Sequence, residues 1–222
     1  MTPPPLLLCD LDDTLIDRRG ALRRWAEAFA AEHGLDGRAV DWLLAFDRDG
    51  GVDRRTYLDA ARERFGLRPS VDALVDAFAE RLPLEVRPPP PECLAAIGRL
   101  RVAGWRIGVV TNGPPFQAAK LRRAGLVELL DGWCISDVDG VRKPDRAIFE
   151  LAARRCRTTL ERAWMVGDNG ATDIAGAVVC GLPSVWIRLG RRWSRPDYRP
   201  TSEAESLAGA IELIEAAAAA KR

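Results

Sequence analysis

Five short apolar runs constrain this chain more than any other feature: residues 6–9, 107–110, 133–135, 163–166 and 184–187. Each is too short for a helix and rich in branched or aromatic side chains, so each reads as a strand buried on both faces. A helical pattern precedes each of the last four, at residues 91–103, 116–124, 144–155 and 172–180. Strand–helix alternation of this kind predicts an α/β fold with a parallel sheet and helices on both sides. Gly104, Gly125 and Gly181 mark the ends of three of these helices.

Residues 17–88 break the alternation. They carry helical patterns at 21–33, 38–46, 54–65 and 71–82 and no strand-like run. In the first of these, Leu22, Trp25, Ala26 and Phe29 share one face, and Ser70 suits the N-cap of the last. The stretch predicts a small all-helical domain over 17–88, inserted after the first strand into a core made of 1–16 and 89–222. Its return passes through Arg87 and the prolines at 88–91, a stiff extended spacer. Trp42 and Phe46 are assigned to the core of this insert in preference to a dimer contact, and a monomer or homodimer is expected. Residues 190–201 read as a surface loop with a short edge strand near Tyr198. Residues 206–220 read as a last helix, whose alanine run reflects helix propensity.

Composition narrows the function classes. With 222 residues, 47% of them hydrophobic, the chain can bury one good core plus an accessory domain. The 33 basic and 32 acidic residues nearly cancel, so no charge excess argues for nucleic acid. The opening MTPPPLLLCD lacks a basic region, and its apolar run is too short for a signal peptide or a membrane span. A cytoplasmic protein with no membrane partner is expected. The five cysteines form no CxxC pair and read as reduced, mostly buried thiols, Cys156 among them; the single His33 argues against a histidine-rich metal site.

The chemistry gathers at strand ends. The first strand runs into Asp10-Leu11-Asp12-Asp13-Thr14, and residues two apart in an extended chain point the same way. Asp10 and Asp12 then project together from the carboxyl edge of the sheet, where open parallel sheets bind ligands. Two adjacent carboxylates need a shared proton or a cation. The alternative is an aspartate-rich turn in which Asp12 or Asp13 caps the next segment. The second strand ends in Thr111-Asn112-Gly113, whose hydroxyl, amide and backbone N–H groups suit anionic oxygens, though an ordinary turn has the same composition. Arg142-Lys143-Pro144-Asp145 follows the third strand. Pro144 suits the first turn of a helix and places Lys143 just before it, where a lysine is ordinarily a solvated charge. The fourth strand ends in Gly167-Asp168-Asn169, with Asp173 five residues beyond Asp168 either as a further acid of the cluster or as a first-turn acid favoured by the helix dipole. Carboxylates gathered this closely call for a hard cation with oxygen ligands, and Mg2+ suits a site that also takes phosphate.

The four motifs DLDDT, VVTNG, RKPD and GDNGATD stand in this order along the chain. Together they resemble the haloacid dehalogenase superfamily in its phosphatase branch, over residues 6 to about 187. The resemblance implies a Rossmann-like core and a helical insert of the C1 cap type, a lid over the active site. It also implies a small phosphorylated metabolite as substrate, such as a sugar phosphate or a nucleoside monophosphate. It makes Asp10 the nucleophile, Asp12 the general acid and base, and Thr111 with the Asn112 and Gly113 backbone the phosphoryl holders. Lys143 becomes the offsetting cation. Mg2+ falls to Asp10, the Asp12 carbonyl and Asp168, with Asp173 behind them or acting through water. The dehalogenase branch lacks an acid at the position of Asp12, because a halide leaves without a proton. In the insert, the Asp47-Arg48-Asp49-Gly50-Gly51 turn offers Arg48 to an anionic substrate or is simply a solvated turn; Arg18 and Arg19 line the entrance or are surface charges. A phosphomutase or phosphotransferase, and a silent phospho-ligand binding module, are the competing readings.

Overall fold

The computed structural model describes residues 2–220; Met1, Lys221 and Arg222, which the core range 1–16 and 89–222 includes, lie outside the described residues. The chain divides into two compact units, one before Asp17 and from Pro88 onward, the other Asp17–Arg87.

The first unit is a parallel sheet of six strands: β1 (Leu6–Cys9), β2 (Arg106–Thr111), β3 (Gly132–Ile135), β4 (Ala163–Gly167), β5 (Ser184–Ile187) and β6 (Ser202–Ala204). Their order is β3-β2-β1-β4-β5-β6. All four residues of β1 are fully buried, because a central parallel strand is covered on both faces. The order reverses at β1: the chain runs outward through β2 and β3 on one side and through β4 to β6 on the other. Such a switch point opens a crevice at the carboxyl ends of the strands, here of β1 and β4. The edge strand expected near Tyr198 lies at Ser202–Ala204 instead, paired in parallel with β5. Tyr198 is spent on a hydrogen bond to the Gly170 carbonyl.

In this unit α5 (Pro91–Val102) begins at a proline, whose missing N–H costs nothing in a first turn. It is followed by α6 (Gln117–Arg123), α7 (Ser136–Asp139), α8 (Arg146–Arg155), α9 (Ala175–Cys180) and α10 (Leu207–Ala219). Gly181 takes the left-handed conformation that closes α9, with φ of 71°. Between β1, β4 and α8 lies an apolar cluster that includes Leu6, Leu8, Met165, Phe149 and Cys156. Gly176 sits against Phe149 so closely that a Cβ there would lie 2.3 Å from the ring. Cys156 is 1% exposed, and burial pushes its thiol up to about 12, as befits a packing residue.

The second unit holds α1 (Arg18–Glu32), α2 (Gly37–Asp47), α3 (Arg54–Phe65) and α4 (Val71–Arg81). Side chains of Asp17, Asp36, Asp53 and Ser70 cap the four, Ser70 Oγ accepting from the Ala73 N–H. Trp25 packs on Phe29 and edge-on to Phe78, with centroids 4.9 and 4.7 Å away. Trp42 and Phe46 stack at 4.7 Å and are half-buried. Arg18 is not a surface charge. It is 6% exposed, and its Nη2 donates to both oxygens of the buried Asp47 at 2.7 and 2.9 Å. Asp47, expected to open a turn, instead ends α2 and is buried inside the unit. Its carboxylate also receives the Gly50 N–H at 2.7 Å, and the Arg18 guanidinium, with help from Arg54, holds it below the usual carboxylate range against burial. Arg48 is exposed, with φ of 49° just after α2. Among the described residues, no helix is long and apolar enough to cross a membrane.

Candidate active site

Two strand ends, those of β1 and β4, bring the acids together. Asp10 continues β1, its N–H donating to the Val166 carbonyl of β4 at 2.9 Å. That bond keeps the side chain in register with the end of β4. One carboxylate oxygen from each of Asp10, Asp168 and Asp173 lies within 4.8 Å of the others. Asp173 is reached through a wide helical turn, Gly170–Ile174, ahead of α9. The pattern expected over 172–180 therefore starts earlier and with looser winding, a form common at functional sites. The turn aims Asp173 back at the strand, where its Oδ2 accepts the Asn169 N–H at 2.9 Å. Gly167 makes room for it: a Cβ there would lie 2.2 Å from Asp173 Oδ2.

Lys143 enters the same cluster. It is 3% exposed, with Nζ 2.5 Å from Asp10 Oδ1 and 2.7 Å from Asp173 Oδ1. The solvated charge that its sequence position also allowed is thus not what the fold makes of it. Asn112 explains how it is held. Its Nδ2 donates to the Lys143 carbonyl and its Oδ1 accepts the Lys143 N–H, both at 2.9 Å. Pro144 does not open α8. The helix starts at Arg146, with Asp145 as its N-cap, because the Asp145 side chain takes the Ala147 N–H at 2.9 Å.

The charges are unbalanced. Burial lifts the Asp10 carboxyl well above the usual range; Lys143 opposes this, while Asp173 and Asp168 add to it. Asp168 is pushed up to about 6 by burial and by Asp173, against the pull of Arg191. Burial pulls Lys143 down, but Asp10 and then Asp173 more than offset it and keep the ammonium charged. Three carboxylates face the Lys143 ammonium and the Arg191 guanidinium, the candidate ligand atoms are all oxygens, and Asp173 raises both Asp10 and Asp168. That donor set fits a hard divalent cation.

Asp12 turns elsewhere. Lys120 Nζ lies 2.8 Å from each of its carboxylate oxygens, and Gln117 Nε2 donates to Oδ2 at 2.9 Å. The same Gln117 nitrogen donates to Thr111 Oγ1 at 2.8 Å. Its Oε1 is buried with no hydrogen-bond partner. Thr111 is 1% exposed. The Gly113 N–H, expected to face phosphoryl oxygens, donates to Ser136 Oγ at 2.9 Å in this arrangement. Asn112, expected to offer its backbone there, has its side chain committed to the Lys143 segment. Gln117, Lys120 and Ser136 were not singled out in the sequence. The one signal for the first two is that the buried face of α6 is made of Gln117, Lys120 and Leu121, two polar residues where apolar ones are usual.

Comparison with known proteins accords with this geometry. The sequence model of the haloacid dehalogenase-like hydrolases matches residues 5–181. The chain is 30% identical over 220 residues to the pyrimidine 5'-nucleotidase YjjG of Escherichia coli (strain K12), covering 92% of this chain and 95% of that protein. It is 32% identical over 196 residues to the glyceraldehyde 3-phosphate phosphatase of Pyrococcus abyssi, covering 84% and 82%. A HAD-hydrolase of Bacillus subtilis, solved bound to magnesium, superposes with a TM-score of 0.78 at 21% identity, covering 97% of this chain and 99% of that one.

Proposed function

The chain belongs to the haloacid dehalogenase-like hydrolase family and is a phosphoric monoester hydrolase; we propose that it cleaves small phosphorylated metabolites with Asp10 as nucleophile and Mg2+ as cofactor. The observation that carries this reading is the buried Asp10–Lys143 pair beside Asp168 and Asp173. Relatives named for a pyrimidine nucleotide and for a triose phosphate support the small-metabolite class.

In this mechanism Asp10 attacks phosphorus. A bond forms between its carboxylate oxygen and phosphorus, and the ester P–O bond breaks. Asp12 gives a proton to the leaving oxygen, then takes one from the water that attacks the aspartyl phosphate. Inorganic phosphate leaves and Asp10 is regenerated. Lys143 keeps one Asp10 oxygen oriented and offsets charge on the phosphoryl group, and the Thr111 hydroxyl with the Asn112 backbone holds phosphoryl oxygens. Gly113 joins them once its N–H exchanges Ser136 for the ligand. Asp10, Asp168 and the Asp12 carbonyl would hold a Mg2+, which would supply the positive charge that the acids lack. Asp173 acts from behind, since its two oxygens already hold Lys143 and the Asn169 N–H. Asp12 favours phosphate over halide as the leaving chemistry, because only an oxygen leaving group needs its proton. Choice of leaving group is assigned to the Asp17–Arg87 unit, Arg48 included, in the role of a lid.

The test is phosphate release from a generic aryl phosphate in the presence of Mg2+. The wild type releases phosphate. Asp10→Asn does not, because an amide oxygen is a poor nucleophile, and full activity in that variant overturns the mechanism. A panel of phosphorylated metabolites then names the substrate, and isomerised product with little free phosphate would favour a mutase.

A further inference from the structure

The segment after β5 braces the Asp168 turn, and no role assigned so far uses it. Arg191 Nη2 donates to the Asp168 carbonyl at 2.8 Å and to its carboxylate Oδ2 at 2.9 Å. The Trp186 indole N–H donates to the same carbonyl at 2.7 Å. Arg191 is itself fixed: its Nε donates to the Arg188 carbonyl at 3.0 Å, and its guanidinium lies 5.6 Å from the Trp186 ring centroid. Further along, the Tyr198 hydroxyl donates to the Gly170 carbonyl at 2.9 Å. Trp193 stands edge-on to both Trp186 and Tyr198, at 5.1 and 5.8 Å. Gly170 is in close contact with this segment, since a Cβ there would meet Trp193 and Arg195 at 3.1 Å. Both ends of the 168–170 turn are thus held by one aromatic and guanidinium bracket.

A short carboxylate at a strand end has rotamer freedom, and a cation site works only when that freedom is removed. Arg191 removes it by binding one carboxylate oxygen and the carbonyl of the same residue. Two effects of the guanidinium oppose each other. Its charge competes with a cation for Asp168, whereas its hydrogen bonds pre-orient the ligand. The two-point grip and the Trp186 bond to the same residue favour orientation.

We propose that Arg191, seconded by Trp186, is a positioning residue that fixes the Asp168 carboxylate toward Asp10 and Asp173 and thereby raises the affinity of the cluster for a divalent cation. The proposal rests on the reading of Asp168 as a metal ligand.

Titration calorimetry of Mg2+ alone into the substrate-free full chain tests it. Arg191→Met is expected to weaken Mg2+ binding by roughly 10–100-fold, with melting used to confirm folding. Trp186→Phe keeps an aromatic ring but loses the indole N–H, so it is expected to weaken binding in the same direction by a smaller factor. Arg191→Lys, which reaches one acceptor but not both, is expected to fall between Arg191→Met and wild type. Unchanged or tighter Mg2+ binding in folded Arg191→Met overturns the proposal, because the guanidinium is then a counter-charge or a surface brace. If Arg191→Met does not fold, unchanged affinity in Trp186→Phe overturns it. A wild type that binds no Mg2+ overturns the metal reading itself, a result distinct from a wild type that binds and variants that bind equally well.

Discussion

Lys143→Met isolates a single charge. Methionine keeps most of the length and volume of lysine, so packing changes little. What disappears is the ammonium 2.5 Å from Asp10 and 2.7 Å from Asp173. With an effective dielectric constant of about 20, attraction at such distances is about 6 kcal/mol per pair before the cost of desolvation. Desolvation consumes a large part of it, and loss of one charged donor at a reacting centre typically removes about 3–4 kcal/mol of transition-state stabilisation. We therefore expect kcat to fall by about 10²–10³-fold. The sign of the pH effect follows from the same pair. Lys143 opposes the upward shift of the Asp10 carboxyl, so its removal lifts Asp10 further, and only the carboxylate form attacks. The deficit should be largest at low pH and narrow as pH rises. Initial rates on an aryl phosphate at saturating Mg2+, corrected for the folded fraction by circular dichroism, measure this. A kcat within about tenfold of wild type across the pH range would refute the assignment, since a donor this close to the nucleophile must then be electrostatically idle.

The remaining expectations concern groups away from that pair. In the helical unit, Asp47 is held below its unfolded value, so its stabilisation is present above pH about 4 and is lost as pH falls through the folded value. Asp47→Asn should cost about 2–3 kcal/mol at pH 7, and denaturant titrations should show the gap to wild type closing below pH about 4. Lys120→Met removes the ammonium that grips both oxygens of Asp12. It should lower kcat by about 10–100-fold, a fraction of what general acid–base catalysis supplies, with the melting temperature showing whether the fold is kept.

The local elements were legible in the sequence because their causes are local. Residues 6–9 and 184–187 are strands over the bounds their apolar runs predict, and Arg54–Phe65 is a helix as its period predicts. Ser70 caps the start of α4 and Gly181 the end of α9, as their residue types predict. Errors fell where local preference met a longer-range demand. Pro144 can open a helix, but here its neighbour Lys143 is clamped by Asn112, so the first turn waits for Asp145. The 170–174 turn widens because Asp173 must face Lys143 and Asn169. Arg18 was indistinguishable from the exposed Arg19 beside it until Asp47 was placed.

Taken alone, the amino-acid order determined the five main strands and most of the helices, that Asp10 and Asp168 sit at strand ends, and which family the four motifs resemble. These follow from patterns a few residues wide, in which periodicity and caps act directly on the backbone. Only the tertiary structure decided the partners. Lys143 reaches Asp10 across 133 positions and Lys120 reaches Asp12 across 108. Pairings at that range depend on the strand order around β1, which brings distant segments together, and no short window of sequence carries that information.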